Sequence, residues 1–545
     1  MTGSGTAEST TPDPTGRARP GAAGAMVTTL ADSRLLAPLL VVALTVVGGV
    51  IRLLVLHDSL FADELSTYWV VSGRSFGGVI STVHTDAEIT PPLFFALSWL
   101  ATRIDFTAEM LRLPSYIAGV VTIPLIYLIG ARTVGRWAAT VAAALTALAP
   151  FMIYYSTEAR GYALMIALAL LSTLAMLIAI DGRRARWWVL YAASSCGAMY
   201  SHYTAVFFLA AQFAWVLWAH PQARRAVVLA NLGAVIGFAP WITGLIADLN
   251  SPTTKLLGLL APFTFASVRV SLEHWSIGYP YQFVGLGSVP GPVGLALIGA
   301  GVVLGIIAVA ARGSVRPLFQ RAFADRGLIL ILALALAAPL GEAAVSLVGD
   351  DVFGTRNLAV SWPAAALLAA AILRAGREPL RIAAACLAIA GLGVGAALML
   401  KSENQRTDYR AAAAFIERSS TSRDVVIDAS VLSPGPISGL DAALEQPRRV
   451  FRAGVPQERD HPFGVFDQVL PVPEVVHDAL AEADGGRVFV VSLPGGERVP
   501  GRVFTYAQLT TAIAAQLQGA HYQPVETQNY PGIIPVAVHT YEAER

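Results

Sequence analysis

LLAPLLVVALTVVGGVIRLLVLHDSLFADE, residues 35–64, opens the apolar part of this 545-residue chain. From Leu35 to about Leu56 it is hydrophobic over roughly the ~20 residues that carry a helix across a bilayer. The chain then leaves through His57-Asp58-Ser59-Leu60-Phe61-Ala62 and presents two adjacent carboxylates, Asp63 and Glu64. Acids at the mouth of a membrane bundle suit a general base or an ion site held where lipid meets water. They suit a solvated turn equally well, because Asp and Glu commonly follow a span.

Composition decides the broad class. With 55% hydrophobic and 14% charged residues, and a mean hydropathy of +0.58, a soluble globular protein of this length is excluded. A net charge of +1 gives no electrostatic case for nucleic acid. Cys196 and Cys386 both lie in apolar segments and read as buried hydrophobes rather than a disulfide; their spacing fits no metal site. Residues 1–34, rich in Gly, Ser, Thr, Pro and Ala, read as a disordered tail. Arg17, Arg19 and Arg34 place that tail in the cytoplasm, and a signal peptide is not expected because the first apolar core starts too late.

Arginine placement sets the expected topology. Spans are read near 35–57, 112–131, 137–154, 162–180, 187–201, 203–219, 226–246, 292–311, 328–348, 358–374 and 381–399. Arg132 and Arg136; Arg183, Arg184 and Arg186; Arg224 and Arg225; Arg312, Arg316, Arg321 and Arg326; and Arg374, Arg377 and Arg381 then collect on the inner side. An odd number of spans leaves everything after Lys401 outside. Residues 91–104, beginning Pro91-Pro92, are too few to cross and would move later arginines to the wrong side; they read as an interfacial helix. The outer loop 58–111 is thus long enough to be functional.

Polar clusters gather on this outer face. Glu88, in Asp86-Ala87-Glu88-Ile89-Thr90-Pro91-Pro92, reads as a helix-start charge or as a cavity acid. Tyr154-Tyr155-Ser156-Thr157-Glu158-Ala159-Arg160-Gly161-Tyr162 carries a Glu and an Arg two apart. They read as a local ion pair, or as an anion-holding arginine with sugar-stacking tyrosines. Tyr200-Ser201-His202-Tyr203 and Asp350-Asp351-Val352-Phe353-Gly354-Thr355-Arg356-Asn357 fall on the same side. Glu273, His274, Trp275, Tyr279 and Tyr281 read as an interfacial aromatic belt ahead of a sugar rim. This one-sidedness argues against a transporter, whose ionisable groups belong near the midplane.

In their order, Leu60-Phe61-Ala62-Asp63-Glu64, Glu88-Ile89-Thr90-Pro91-Pro92-Leu93, Leu111-Arg112-Leu113-Pro114-Ser115, Tyr155 to Tyr162, Ser201-His202-Tyr203 and Arg356-Asn357-Leu358 resemble family 39 of the GT-C glycosyltransferases. These are relatives of protein O-mannosyltransferases and of the aminoarabinose transferase acting on lipid A. The resemblance covers roughly residues 35–400, and the alanine-rich style is similar to actinobacterial members. It implies inverting transfer of a sugar, mannose or arabinofuranose, from a polyprenyl-phosphate donor to an acceptor hydroxyl. The acceptor would be an envelope glycan, a glycolipid or a protein, on the outer face of the cytoplasmic membrane. It further implies Asp63 as general base, Glu64 orienting the acceptor or tuning Asp63, and Glu88 as a second loop acid. Arg160 and Arg356 would face the leaving phosphate, with Glu158, Tyr162 and His202 around them. Arg52 is a third phosphate candidate, or else snorkels to the interface. A divalent metal held by Asp63, Glu88 and Glu158 is compatible with these residue types but not required by their spacing. The chain departs from the family in having Thr90 where many relatives have His before the Pro-Pro pair, and Arg356-Asn357 where others have Arg-Tyr.

Residues 401–545 change to soluble composition. Helices at Thr407 to Arg418, Pro473 to Ala483 and Thr505 to Gln518 alternate with strands at Asp424 to Asp428 and Arg487 to Val491, which reads as a small outer α/β domain. A glycan ligase using lipid pyrophosphate, and a non-catalytic envelope transporter or scaffold, are the rival readings.

Overall fold

The computed structural model describes residues 33, 35–85, 88–182, 184–251, 262–312, 324–349, 351–430, 437–445, 449–453, 471–494 and 505–544. The expected tail 1–32, Arg34, Asp86, Arg183, Arg316, Arg321 and Asp350 lie outside them. The chain begins with α1 (Leu36–Leu54), followed by three short helices, α2 (Asp63–Val71), α3 (Phe76–Val83) and α4 (Leu93–Ala101). The bundle continues through α5 (Ala108–Thr133), α6 (Arg136–Leu148), α7 (Pro150–Ser156), α8 (Tyr162–Gly182), α9 (Ala185–Ser201) and α10 (Ala205–Ala219). Next come α11 (Arg224–Phe238), α12 (Ile242–Asn250), α13 (Phe265–Ile277), α14 (Gly291–Ala310) and α15 (Arg326–Val348). A 3-10 stretch, Thr355–Ser361, leads into α16 (Trp362–Arg374), and α17 (Glu378–Met399) closes the bundle.

Helices stand at each of the spans read from the sequence. Among the described residues eight helical stretches are long and apolar enough to cross a membrane, or nine if the bent pair α6–α7 is one span. α9 and α10, at 17 and 15 residues, are not among them, so the structure does not establish eleven spans. At nine residues α4 is far too short to cross, as its sequence suggests. It instead buries Phe94, Phe95 and Ser98, with Ser98 Oγ donating to the Leu111 carbonyl of α5 at 3.0 Å. Cys386 is exposed rather than buried, because it lines an apolar cavity between α17, α1 and α6; both cysteines are free.

The α6–α7 break shows how sequence shapes the bundle. Ala149 is extended and Pro150 opens α7, bending the pair by 63°. Proline has no N–H to give the Thr146 carbonyl four residues back, so the end of α6 is left with unpaired acceptors. Arg52 supplies the missing donors. Its guanidinium reaches the carbonyls of Ala147 at 2.9 Å, Thr146 at 3.2 Å and Gly48 at 2.9 Å, and it is fully enclosed. Arg52 therefore neither snorkels nor faces a lipid phosphate: it splints α1 to a helix break.

The C-terminal part comprises α18 (Tyr409–Ser419), β1 (Val425–Ala429), α19 (Gly439–Ala443), β2 (Val450–Arg452), α20 (Val472–Ala483), β3 (Val488–Ser492), α21 (Tyr506–Gly519), β4 (Tyr522–Tyr530) and β5 (Val536–Ala543). The sheet runs β2-β1-β3-β5-β4, parallel among β2, β1 and β3 and antiparallel beyond. β1 and β3 are wholly buried, as parallel strands covered on both faces must be. All five elements expected there are present, α18 capped by Asp408 and α21 by a Thr505–Gln508 capping box. This domain grips the bundle: Phe61 packs in its core, and Arg410 donates to the His57 carbonyl at 2.8 Å.

Candidate active site

The short helix α2 carries the site. Ala62, just before it, holds φ at +50°, a backbone region that an L side chain adopts only under strain. Asp63 and Glu64 then stand in the first turn of α2, where the helix dipole favours acids. From this turn the two side chains go to different partners.

Glu64 lies in a sealed cluster. Arg112 of α5 meets it through two nitrogens, both at 2.7 Å, and neither side chain has any exposure. Arg406, from the segment leading into the soluble domain, places Nε 3.2 Å from the same carboxylate. Glu64 also accepts from the Ala159 N–H at 2.8 Å and the Phe61 N–H at 3.2 Å. Burial alone would raise its pKa; Arg112 and Arg406 more than offset this and hold it below the usual value. Arg112 also donates to the carbonyls of Leu56, Asp58 and Ser59, so it fastens the exit of α1. Glu64 thus has no face toward an acceptor and sits in the framework under Asp63, a correction to the expected contact.

Glu88 forms the second sealed pair. Its two oxygens meet Arg160 at 2.6 and 2.8 Å, in the planar fork geometry that makes arginine–carboxylate pairs strong. Ser66 of α2 and Thr90 add donors at 2.8 and 3.0 Å. Thr90, the departure from the family pattern, is therefore a ligand of Glu88. Burial works against the Glu88 charge, but Arg160 overrides it and keeps the pKa low. The Glu158-Ala159-Arg160 turn is fixed by Thr67 Oγ1 on the Ala159 carbonyl, at 2.8 Å, and by Ser115 Oγ on that of Arg160, at 2.9 Å. Gly161 is required at its end, since a Cβ there would lie 2.4 Å from the Ser201 carbonyl.

Asp63 forms the third pair, and it is open. Its Oδ2 lies 2.7 Å from Arg356 Nη1, with side chains 38% and 36% exposed. Arg356 comes from the 3-10 stretch before α16, so residues nearly three hundred positions apart close the mouth together. Asn357 beside it turns away, donating to the Val352 carbonyl at 2.6 Å.

Between these pairs lies Glu158, which pairs with no arginine among the described residues. Only 3% exposed, it has one oxygen 3.5 Å from the Tyr154 hydroxyl and the other without a partner. Burial, then the charges of Asp63 and Glu64, push its pKa up to about 8, so it is mostly protonated at neutral pH. The local Glu158–Arg160 pair allowed by the sequence does not form, because the turn directs Arg160 to Glu88. Tyr154 also bonds Tyr281 at 3.1 Å and packs against Tyr155 and Tyr279, while Arg406 lies over its ring at 4.5 Å. Tyr279 and Tyr281 thus belong to the site wall rather than to a lipid belt. The rings of Tyr162 and His202 meet at 4.9 Å, tilted by 38°. Burial, then Arg160 and Arg356, lower the His202 pKa to about 3, leaving a neutral ring whose Nδ1 is 3.0 Å from Thr204 Oγ1.

Asp63, Glu64, Glu88, Glu158, Arg160, Tyr162, His202 and Arg356 therefore gather in one region, and Arg52 stands apart from it. Sequence reasoning missed Arg406 and Asp58, and read Arg112 only as part of a motif. Asp58, next to the acidic pair, was the visible signal for a further counter-cation; Arg406 stands 3.5 Å from it. The oxygen donors considered for a divalent ion do not fit one: arginines hold Asp63 and Glu88, and among the described residues no three His, Cys, Asp or Glu converge on a metal position. A cavity of about 300 Å³ between α1, α6 and α17, lined by Leu40, Trp137, Val141 and Ile389, is apolar and distant from these acids.

Residues 90–244 match the family described as dolichyl-phosphate-mannose-protein mannosyltransferase. No curated protein matches the chain. Among solved structures, the chain is similar to ArnT from Cupriavidus metallidurans in the apo state, with a TM-score of 0.52 and 14% identity over 92% of this chain and 97% of that one. The same enzyme bound to undecaprenyl phosphate gives a TM-score of 0.50 at equal identity and coverage. At that identity the likeness establishes the fold, which is GT-C. Together with the family match over residues 90–244, it makes this chain similar to the protein mannosyltransferases in fold and in part of its sequence.

Proposed function

We propose that the chain transfers a sugar from a polyprenyl-phosphate donor to an acceptor hydroxyl on the outer face of the cytoplasmic membrane. Asp63 takes the hydroxyl proton as the acceptor oxygen attacks the anomeric carbon. The bond from that carbon to the phosphate oxygen breaks with inversion, and the lipid phosphate leaves with the electron pair, opposite Arg356. The observation carrying this reading is the Asp63–Arg356 pair at 2.7 Å, more than a third exposed while Glu64 and Glu88 are sealed. A base and an anion holder are thus adjacent at the one open pair of the cluster.

The undecaprenyl phosphate bound by ArnT supports the donor class, and the matched family's description favours mannose over arabinofuranose. Glu88 and Glu64 act in this scheme as positioning groups: Glu88 holds Arg160 and α2 in place, and Glu64 anchors the turn that presents Asp63. Tyr162, His202 and Glu158 line the sugar side. The soluble domain, residues 401–545, lies outside with the acceptor, which is an envelope glycan, a glycolipid or a protein.

Comparison of envelope glycans from a deletion strain complemented with the wild type or with Asp63→Asn tests this. Loss of one glycan that only the wild type restores is expected. Full restoration by Asp63→Asn at normal protein level would remove Asp63 as the base.

A further inference from the structure

We infer that Asp63 and the phosphate of the lipid donor compete for one guanidinium, so that donor binding itself uncovers the base. This rests on the donor class proposed above. With the 2.7 Å pair intact, neither residue is free for its task. The guanidinium covers the carboxylate oxygen that an acceptor hydroxyl must approach, and the carboxylate covers a nitrogen that a phosphate would use.

Arg160 cannot relieve the conflict, because buried Glu88 occupies two of its nitrogens at 2.6 and 2.8 Å. Arg356 can. It gives one nitrogen to Asp63, and its side chain is 36% exposed. A phosphate brings more charge and more acceptor oxygens to the planar fork than a carboxylate does. The donor phosphate therefore draws Arg356 from Asp63, and the released carboxylate is uncovered for the acceptor hydroxyl to approach and give up its proton. Once the lipid phosphate departs, Arg356 returns. The proton taken by Asp63 passes to water as the pair re-forms, which resets the site. Donor binding must precede removal of the acceptor proton, which protects the empty site from unproductive acid–base chemistry.

A double-mutant cycle reads the competition directly. The full chain in phosphatidylcholine nanodiscs is titrated with undecaprenyl phosphate, and with undecaprenol as the arm lacking phosphate, by native mass spectrometry. Asp63→Asn should bind undecaprenyl phosphate about two- to fivefold tighter than wild type, the size expected of a half-exposed pair, with undecaprenol unchanged. Arg356→Gln should bind it more weakly, and adding Asp63→Asn to Arg356→Gln should give no gain. Should Arg356→Gln prove unstable, Arg356→Met fills the same corner of the cycle. A gain that persists without Arg356 means simple charge repulsion and overturns the exchange. So does an Asp63→Asn affinity equal to or weaker than wild type. Wild type that binds undecaprenol as tightly as its phosphate would instead refute the donor class, a result distinguishable from failure of the exchange alone.

Discussion

Glu64→Gln separates an acid that holds the site from one that performs chemistry. The substitution preserves shape but removes the charge lying 2.7 Å from Arg112 and 3.2 Å from Arg406. Those side chains are 0–2% exposed, so water cannot replace the lost counter-charge. Breaking a buried pair by neutralising one partner destabilises a protein by about 3–5 kcal/mol. Asp58, 3.5 Å from Arg406, supplies a second negative charge and sets the expectation near the low end, about 3 kcal/mol. Arg356→Gln breaks a pair more than a third exposed on each side and should cost under about 1 kcal/mol.

Thermal unfolding in detergent, with single-turnover sugar transfer measured on the folded fraction, checks both. Glu64→Gln should melt well below wild type while the folded fraction retains transfer; Arg356→Gln should melt close to wild type and lose transfer. Acid unfolding adds a signed test. The folded pKa of Glu64 lies below the ordinary 4.5, so its stabilisation is complete above about pH 4.5 and fades as pH falls through the folded value. The variant should lack that part of the acid limb. A Glu64→Gln protein that melts like wild type yet has lost transfer would refute the reasoning and place Glu64 against the substrate.

Three further outcomes follow from the same geometry. Arg52→Leu should lower stability by about 2–4 kcal/mol, because the carbonyls of Thr146 and Ala147 lose their buried donor; denaturant titration in mixed micelles measures it. Glu158 is raised to about 8, so the folded state binds an extra proton between about pH 4.5 and 8 and loses stability as pH rises through that window. Glu158→Gln should make this slope shallower by the share of one carboxyl, read from melting temperature against pH. Arg406→Met should destabilise on the scale of Glu64→Gln, and the double variant should fall short of the sum, since both belong to one cluster.

The class of molecule and the positions of its helices were legible because a bilayer imposes length and composition on each span, from α1 onward. The order of the site motifs was legible too, since each polar group near the membrane needs a reason to be there. The partners were not. Glu158 and Arg160 look paired on paper, but the turn pinned by Thr67 and Ser115 sends the arginine to a carboxylate seventy-two positions earlier. Adjacent Asp63 and Glu64 look equivalent, yet successive positions on a helix point about 100° apart, and burial divides their roles. Arg406 hid at a domain border, where composition signals only a change of solvent. β4 escaped notice because it is an edge strand, largely exposed, without the apolar alternation that reveals a covered one.

Burial thus turns similar arginine–carboxylate pairs into different devices. Glu64 with Arg112 and Arg406 joins α2, α5 and the soluble domain; Glu88 with Arg160 joins the loop before α4 to the turn before α8. Both are shut from water, so parting them would strand charges in a medium that cannot solvate them. They suit segments that must not move, where irregular backbone has few apolar side chains to pack. Asp63–Arg356 has equally short geometry but retains solvent on both sides, so parting it costs little and a phosphate can compensate the arginine. Under the proposed function, a site that must hold its frame and still yield to a charged lipid needs both kinds of pair. The sealed ones fix where Asp63 stands, and the open one would leave Asp63 available when an anionic donor arrives.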